Sequence, residues 1–156
     1  MTKKDIAKIL KEIADFLTIL GENEFKIRAY TFAVRSIEQA ENIEEIINGK
    51  TKGIGKSISK IVKEIYETGT CKYYEELKSK IPEGVLELLN LKGLGAKRIK
   101  ILYENLGIKS IGELEYACKE NRLLILKGFG KKIQENILKA IKNYRKNLNY
   151  FTVLEA

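Results

Sequence analysis

The chain has 156 residues, 44% hydrophobic and 32% charged, and its 29 lysines and arginines against 21 acidic residues leave a net charge of +8. That composition excludes a disordered chain and describes a globular protein with one moderate core or two small ones in series. Histidine is absent, which removes the commonest general base and the commonest transition-metal ligand.

The basic excess is uneven, with +6 of the +8 lying beyond residue 66, and a basic surface favours polyanions. Cys71 and Cys118 lack any CxxC spacing, so they suggest neither a zinc site nor a disulfide framework and read as reduced thiols. The opening MTKKDIAKIL is basic, but Asp5, Lys8, Lys11 and Glu12 break its apolar residues. No signal-peptide core or membrane span is found, and a cytoplasmic location is expected.

In chain order the elements are helical nearly throughout. Ile6, Ile9, Leu10, Ile13, Phe16, Leu17 and Leu20 follow helical spacing, closed by Gly21. A second helix is expected over 24–38 with Phe25, Tyr30, Ala33, Val34 and Ile37 as its apolar side. ENIEEIING then gives a short helix ended by Gly49. After GIG, residues 56–67 set Ile58, Ile61, Val62 and Ile65 on one face. TGTC at 68–71 is a turn signal that divides a first unit, 1–70, from a second, 71–147. The second unit opens with a short helix at 72–79. Pro82 fits the first turn of a helix over 83–90. Helices follow at about 96–105, at 110–120, where Ser110 and Glu113 suggest a capping box, and at 131–147. Residues 148–156 read as a tail. The fold class is all-α, a series of small helical hairpins.

One figure returns three times: KGIGKSISKIV at 52–62, KGLGAKRIKIL at 92–102 and KGFGKKIQENI at 127–137. Each copy is a Gly-apolar-Gly turn followed by a helix with basic residues in its first turn. Glycines leave no side chain between backbone and ligand, and a helix start offers unpaired N–H groups with partial positive charge. Together they suit a phosphate. The glycines are Gly53 and Gly55, Gly93 and Gly95, Gly128 and Gly130. Lys56, Lys97, Arg98, Lys131 and Lys132 follow them closely enough to add charge-assisted contacts. Ile54, Leu94 and Phe129 should turn inward and pin each hairpin. A single Gly-x-Gly is weak evidence, but three copies at intervals of 40 and 35 residues are specific. A P-loop is excluded, because no strand leads into the glycines and GIGKS lacks the upstream glycine of GxxxxGK[ST].

This repeat resembles the helix-hairpin-helix motif, which grips DNA backbone without reading bases. Nearly the whole chain is similar to the N-terminal region of bacterial and archaeal family X DNA polymerases. The resemblance rests on KKDIAKILKEIADFL, GENEFKIRAYTFAVRSIE, GIGKSISKIVKEIYETGT, IPEGVLELLNLKGLGAKRIKILYENLGIKS and LKGFGKKIQENILKAI, in that order. It implies that the first unit is the small domain engaging the 5′ side of a DNA gap, and the second the DNA-binding subdomain beside the polymerase palm. The palm with its carboxylate triad and Mg2+ would begin beyond VLEA, so two-metal nucleotidyl transfer is not expected of this chain. The chain itself should require no cofactor.

The resemblance also places Lys26 and Tyr30 in a 5′-phosphate pocket, where Arg28 and Lys56 are expected to compensate for missing basic groups, and Ser57 and Lys60 join the candidate DNA contacts. It implies a monovalent cation, Na+ or K+, held by the backbone carbonyls of Gly49, Thr51 and Ile54 in the first repeat and of Leu89, Leu91 and Leu94 in the second. Some relatives carry a deoxyribose-phosphate lyase in the small domain, whose lysine forms a Schiff base. Here the nucleophile's position is Ile61, the supporting lysine is Ser57 and the phosphate-holding histidine is Phe25. Those departures argue against the mechanism. Lys60 is the remaining candidate, about 100° away around the helix. Tyr66, Tyr73, Tyr74, Tyr103, Tyr116 and Tyr144 are available to stack on bases, and the helix from Lys131 to Lys146 offers a basic face.

The expected function is sequence-independent binding of gapped, nicked or 5′-phosphorylated DNA by a monomer, serving a family X polymerase in base excision repair. A lyase acting through Lys60 and a helical protein-interaction module are the alternatives.

Overall fold

A computed structural model describes residues 1–49 and 51–155, with side chains as far as Leu148. Among the described residues all regular structure is helical, as the periodicity predicts. The chain divides into two compact units, Met1–Ile81 and Pro82–Ala156.

In the first unit α1 (Lys3–Ile19) begins at Thr2, whose hydroxyl accepts from Asp5 N–H at 3.2 Å while the Asp5 carboxylate accepts from Thr2 N–H at 3.0 Å. This reciprocal cap satisfies two otherwise orphaned donors. α2 (Glu24–Gln39) starts at Asn23, whose side chain accepts from Phe25 N–H at 2.7 Å. The short connection makes α1 and α2 a helical hairpin, and Lys3 Nζ ties its open end by donating to Ala40 C=O at 2.6 Å. α3 (Glu44–Ile47) leads to the first glycine turn and α4 (Lys56–Thr68), which Gly69 ends in the left-handed region. Ile6, Leu10, Ile13 and Leu17 of α1, with Ile37, Ile46 and Ile65, are fully buried side chains of this unit, each contributing about 1.5–3 kcal/mol relative to exposure.

α5 (Lys72–Ser79) belongs to this first unit, so the division falls eleven residues later than TGTC suggests. Tyr74 is the reason. Its ring packs on Phe16 with centroids 5.5 Å apart, and its hydroxyl donates to the Glu12 carboxylate in a short hydrogen bond. Phe25 departs from the expected apolar side of α2. Tyr30, Ala33 and Ile37 mark the buried arc, and Phe25 at the helix start lies off it, 78% exposed.

In the second unit α6 is Glu83–Leu88, with Pro82 as its N-cap, and it ends short of residue 90. Gly84 is required there, because a Cβ at that position would lie 1.9 Å from Lys109 C=O. α7 is Ala96–Leu106 and α8 is Ile111–Lys119. Ser110 caps α8 by accepting from Glu113 N–H at 3.1 Å, but the Glu113 carboxylate accepts from Lys109 N–H at 2.8 Å, one residue before the position a capping box uses. A 3-10 turn at Arg122–Ile125 precedes the third glycine turn and α9, Lys131–Glu155. The expected tail is therefore largely helix. LNYFTVLE contains neither Gly nor Pro, so nothing stops α9 at 147; Ala156 lies outside the described residues. Val85, Leu88, Ile99, Leu102, Ile108, Leu114 and Leu123 form the core of this unit.

Candidate nucleic-acid interface

The threefold sequence figure is a threefold backbone figure. Thr51–Ile54, Leu91–Leu94 and Leu126–Phe129 each close a turn in which the fourth residue's N–H donates to the first residue's C=O, at 3.3, 3.3 and 3.2 Å. The third residue is glycine every time, with φ of +88° at Gly53, +85° at Gly93 and +87° at Gly128. A type II turn needs positive φ at that position, which is why glycine recurs there. The fourth residue points inward as expected, with Ile54, Leu94 and Phe129 all buried. The next glycine opens a helix in each copy: Gly55, Gly95 and Gly130 C=O accept from Ser59, Ile99 and Gln134 N–H at 3.0–3.1 Å.

No side chain caps α4 or α7, so their first-turn N–H groups keep their donors free for an outside acceptor. Around Gly55, Gly93, Gly95, Gly128 and Gly130 a Cβ would meet nothing within 4 Å. These backbones are open on the side where an anion would approach. Gly53 is the exception, since the Phe32 ring lies 2.6 Å from where its Cβ would be.

Cations surround the turns. Lys56, Lys97, Lys131 and Lys132 are exposed, and Ser57, Lys60 and Lys63 extend the exposed side of α4. Arg98 behaves differently, folding back so that Nη1 donates to Gly93 C=O at 3.2 Å and braces the turn. Three further exposed lysines, absent from the candidates drawn from the sequence, stand at the second turn position: Lys52, Lys92 and Lys127. Their signal was the invariable Lys before the first glycine of each copy.

The proposed 5′-phosphate residues meet on an aromatic ring. Lys26 and Tyr30 lie four apart on α2, and both converge on Tyr73 of α5. Lys26 Nζ stands 5.1 Å from the Tyr73 centroid, and the Tyr30 and Tyr73 rings stack at 6.1 Å and 23°. Proximity of the Tyr73 hydroxyl, against a smaller opposing effect of burial, raises the Lys26 pKa and keeps the ammonium charged. Tyr30 is 3% exposed, and burial raises its phenol pKa beyond the ordinary range. Arg28 instead pairs with Glu24 at 3.5 Å and sits 6.0 Å from the Phe25 ring centroid.

Of the other tyrosines, Tyr66 and Tyr116 are well exposed, while Tyr74 is engaged by Phe16 and Glu12 and Tyr144 donates to Glu87 at 3.4 Å. Lys60 is exposed on α4 and Ile61 beside it is half-buried. Both cysteines are free and buried. Among the described residues no group of three or more Cys, Asp or Glu side chains could hold a metal ion, and no helix is long and apolar enough to cross a membrane.

Comparison with known proteins also finds two regions, the first of which ends before α5. Residues 1–71 match a helix-hairpin-helix domain family, and residues 85–143 match a SAM-like helix-hairpin-helix tandem. The chain is 36% identical over 98% of its length to the DNA polymerase/3′-5′ exonuclease PolX of Bacillus subtilis, and it spans only 27% of that protein. DNA ligases are also similar. That of Clostridium tetani is 43% identical over 38% of this chain and 9% of its own length, and that of Wigglesworthia glossinidia brevipalpis 34% over 67% and 18%.

Proposed function

The chain belongs with the N-terminal regions of the family X DNA polymerases and is built from domains of the helix-hairpin-helix families, and from that premise we propose that it holds gapped or nicked DNA by its backbone phosphates during repair synthesis. The observation that carries this reading is the recurrence of one turn geometry three times, each with an open glycine backbone, uncommitted helix N–H groups or exposed lysines. Such a device recognises phosphate and carries no base information, so binding is independent of sequence. Lys26, with Tyr30 and Tyr73 behind it, is assigned to the 5′-phosphate at the downstream edge of a gap. A nick or gap supplies that group and continuous duplex does not.

A monovalent cation at the turn carbonyls fits this reading. Thr51 and Leu91 C=O each accept one turn N–H at 3.3 Å, which leaves a second lone pair on each oxygen. Gly49 and Ile54, and Leu89 and Leu94, would complete the two sets.

Affinity for a gapped duplex measured against salt tests the proposal. Several phosphate contacts give a log–log slope near −0.9 per contact, and removing Lys92 or Lys127 should reduce the slope by about 1 while weakening all sequences alike. Affinity indifferent to salt would overturn it. The same assay should show tighter binding when the downstream strand carries a 5′-phosphate, and loss of that preference in Lys26→Ala.

A further inference from the structure

Tyr73 stands close enough to Lys26 to raise its pKa, yet its hydroxyl proton has no acceptor. Its hydroxyl oxygen is buried and makes no hydrogen bond. The nearby Lys26 ammonium can only donate, so the Tyr73 proton still lacks an acceptor. A buried donor without a partner is costly, and a phenylalanine would keep the stacking on Tyr30 without that cost. An unsatisfied group of this kind calls for an explanation, and a ligand that completes it supplies one.

What the ligand must be follows from the surroundings. It has to bring an acceptor to a hydroxyl donor, and it has to be anionic, because Lys26 stands over the same ring. Lys26 is exposed, so its stem can carry the ammonium off the ring on the timescale of surface rotamers. A phosphate monoester satisfies both donors at once, with three terminal oxygens and nearly two charges. A phosphodiester within the chain of a nucleic acid offers two free oxygens and one charge.

We propose that Tyr73 is a third ligand of the 5′-phosphate site, its hydroxyl donating to a terminal phosphate oxygen once Lys26 has moved from the Tyr73 ring onto the same phosphate. The proposal rests on the assignment of Lys26 to that phosphate. It separates the roles of two tyrosines: Tyr30 is the buried support, and Tyr73 makes the contact.

Tyr73→Phe is the decisive variant, because it removes the hydroxyl and leaves both ring contacts. Wild type, Tyr73→Phe and Lys26→Ala are compared on three probes: a gapped duplex with a downstream 5′-phosphate, the same gap with a 5′-hydroxyl, and a continuous duplex. Thermal unfolding is followed in parallel. The expected result is a roughly tenfold fall in preference for the 5′-phosphate in Tyr73→Phe, as for one charge-assisted hydrogen bond, with the other two affinities unchanged and Tm equal to or above wild type. Full retention of the preference would overturn the role of Tyr73, as would a fall in Tm with loss of affinity for all three probes. A wild type without any preference would instead overturn the assignment of Lys26, and with it this inference.

Discussion

In the first unit the glycine turn is partly covered, and in the second it is bare. Phe32 lies where a Gly53 Cβ would be, whereas a Cβ at Gly93 or Gly95 would meet nothing within 4 Å. Charge differs in parallel. Residues 1–81 carry 15 basic and 13 acidic side chains, and residues 82–156 carry 14 and 8. The same backbone device is therefore set in two surroundings. The second unit has bare turns and excess cations, which suit any stretch of phosphodiester. The first has few uncompensated charges and an aromatic cluster around Lys26, which suits one phosphate in one place. Specialisation lies around the four-residue turn and in the glycine that follows it, not within the turn itself.

The largest expected effect tests the backbone side of this comparison. Gly95 adopts φ +81° and ψ 154°, whereas Gly55 at the same place in the first unit has φ −74° and ψ 170°. Only glycine is comfortable in the former, so Gly95→Ala should destabilise the second unit by about 1–3 kcal/mol in denaturant unfolding. Gly55→Ala should be near neutral, since the weaker N-cap is offset by about 0.4–1 kcal/mol of reduced unfolded-state entropy. Its Cβ meets nothing in the free protein, so a fall in its DNA affinity would report directly on a backbone approached by phosphate. Equal destabilisation by both changes would remove the distinction between the turns.

Phe32→Ala tests the covering itself. Phe32 is 41% exposed, so truncation should cost about 1 kcal/mol of stability, far below a core aromatic. It should also make the first turn as open as the second and raise its affinity for unphosphorylated gaps. A loss of stability like that of a buried aromatic would show that Phe32 is a core residue of the first unit and no cover.

The smallest effects are in acid, and there the units diverge. Burial raises the pKa of Asp15 in α1 above 3.8 despite Lys11 at 3.2 Å. The folded first unit thus binds that proton more tightly than the unfolded chain, and its stability falls as pH rises through the raised pKa. Arg145, donating at 2.8 Å, lowers the pKa of Glu115 in the second unit below 4.5. That contribution is present above 4.5 and is lost as pH falls through the lowered pKa. Asp15→Asn should raise Tm at neutral pH, and Glu115→Gln should lower it slightly. Opposite signs would refute these assignments.

Much of this architecture is legible from period and punctuation alone. α5 is placed to the residue, and the inward-facing Ile54, Leu94 and Phe129 follow from the repeat. Other features depend on contacts far apart in sequence. The docking of α5 through Tyr74 and Glu12 spans 62 residues, so neither the unit boundary nor the place of Tyr73 beside Lys26 is readable locally. Gly84 looks like a weakness in a short helix until Lys109 C=O is seen beside it. Phe25 misleads because one aromatic at a helix start satisfies an apolar pattern without sharing its arc.

The central claim is that the turns grip phosphate through backbone N–H groups. Amide resonances of the uniformly 15N-labelled chain, followed by NMR as gapped duplex is added, test it most directly. The largest shifts should fall on Gly55 to Ser57, Gly95 to Lys97 and Gly130 to Lys132, and added salt should reverse them. Unmoved amides in all three turns, with shifts confined to other surfaces, would contradict it.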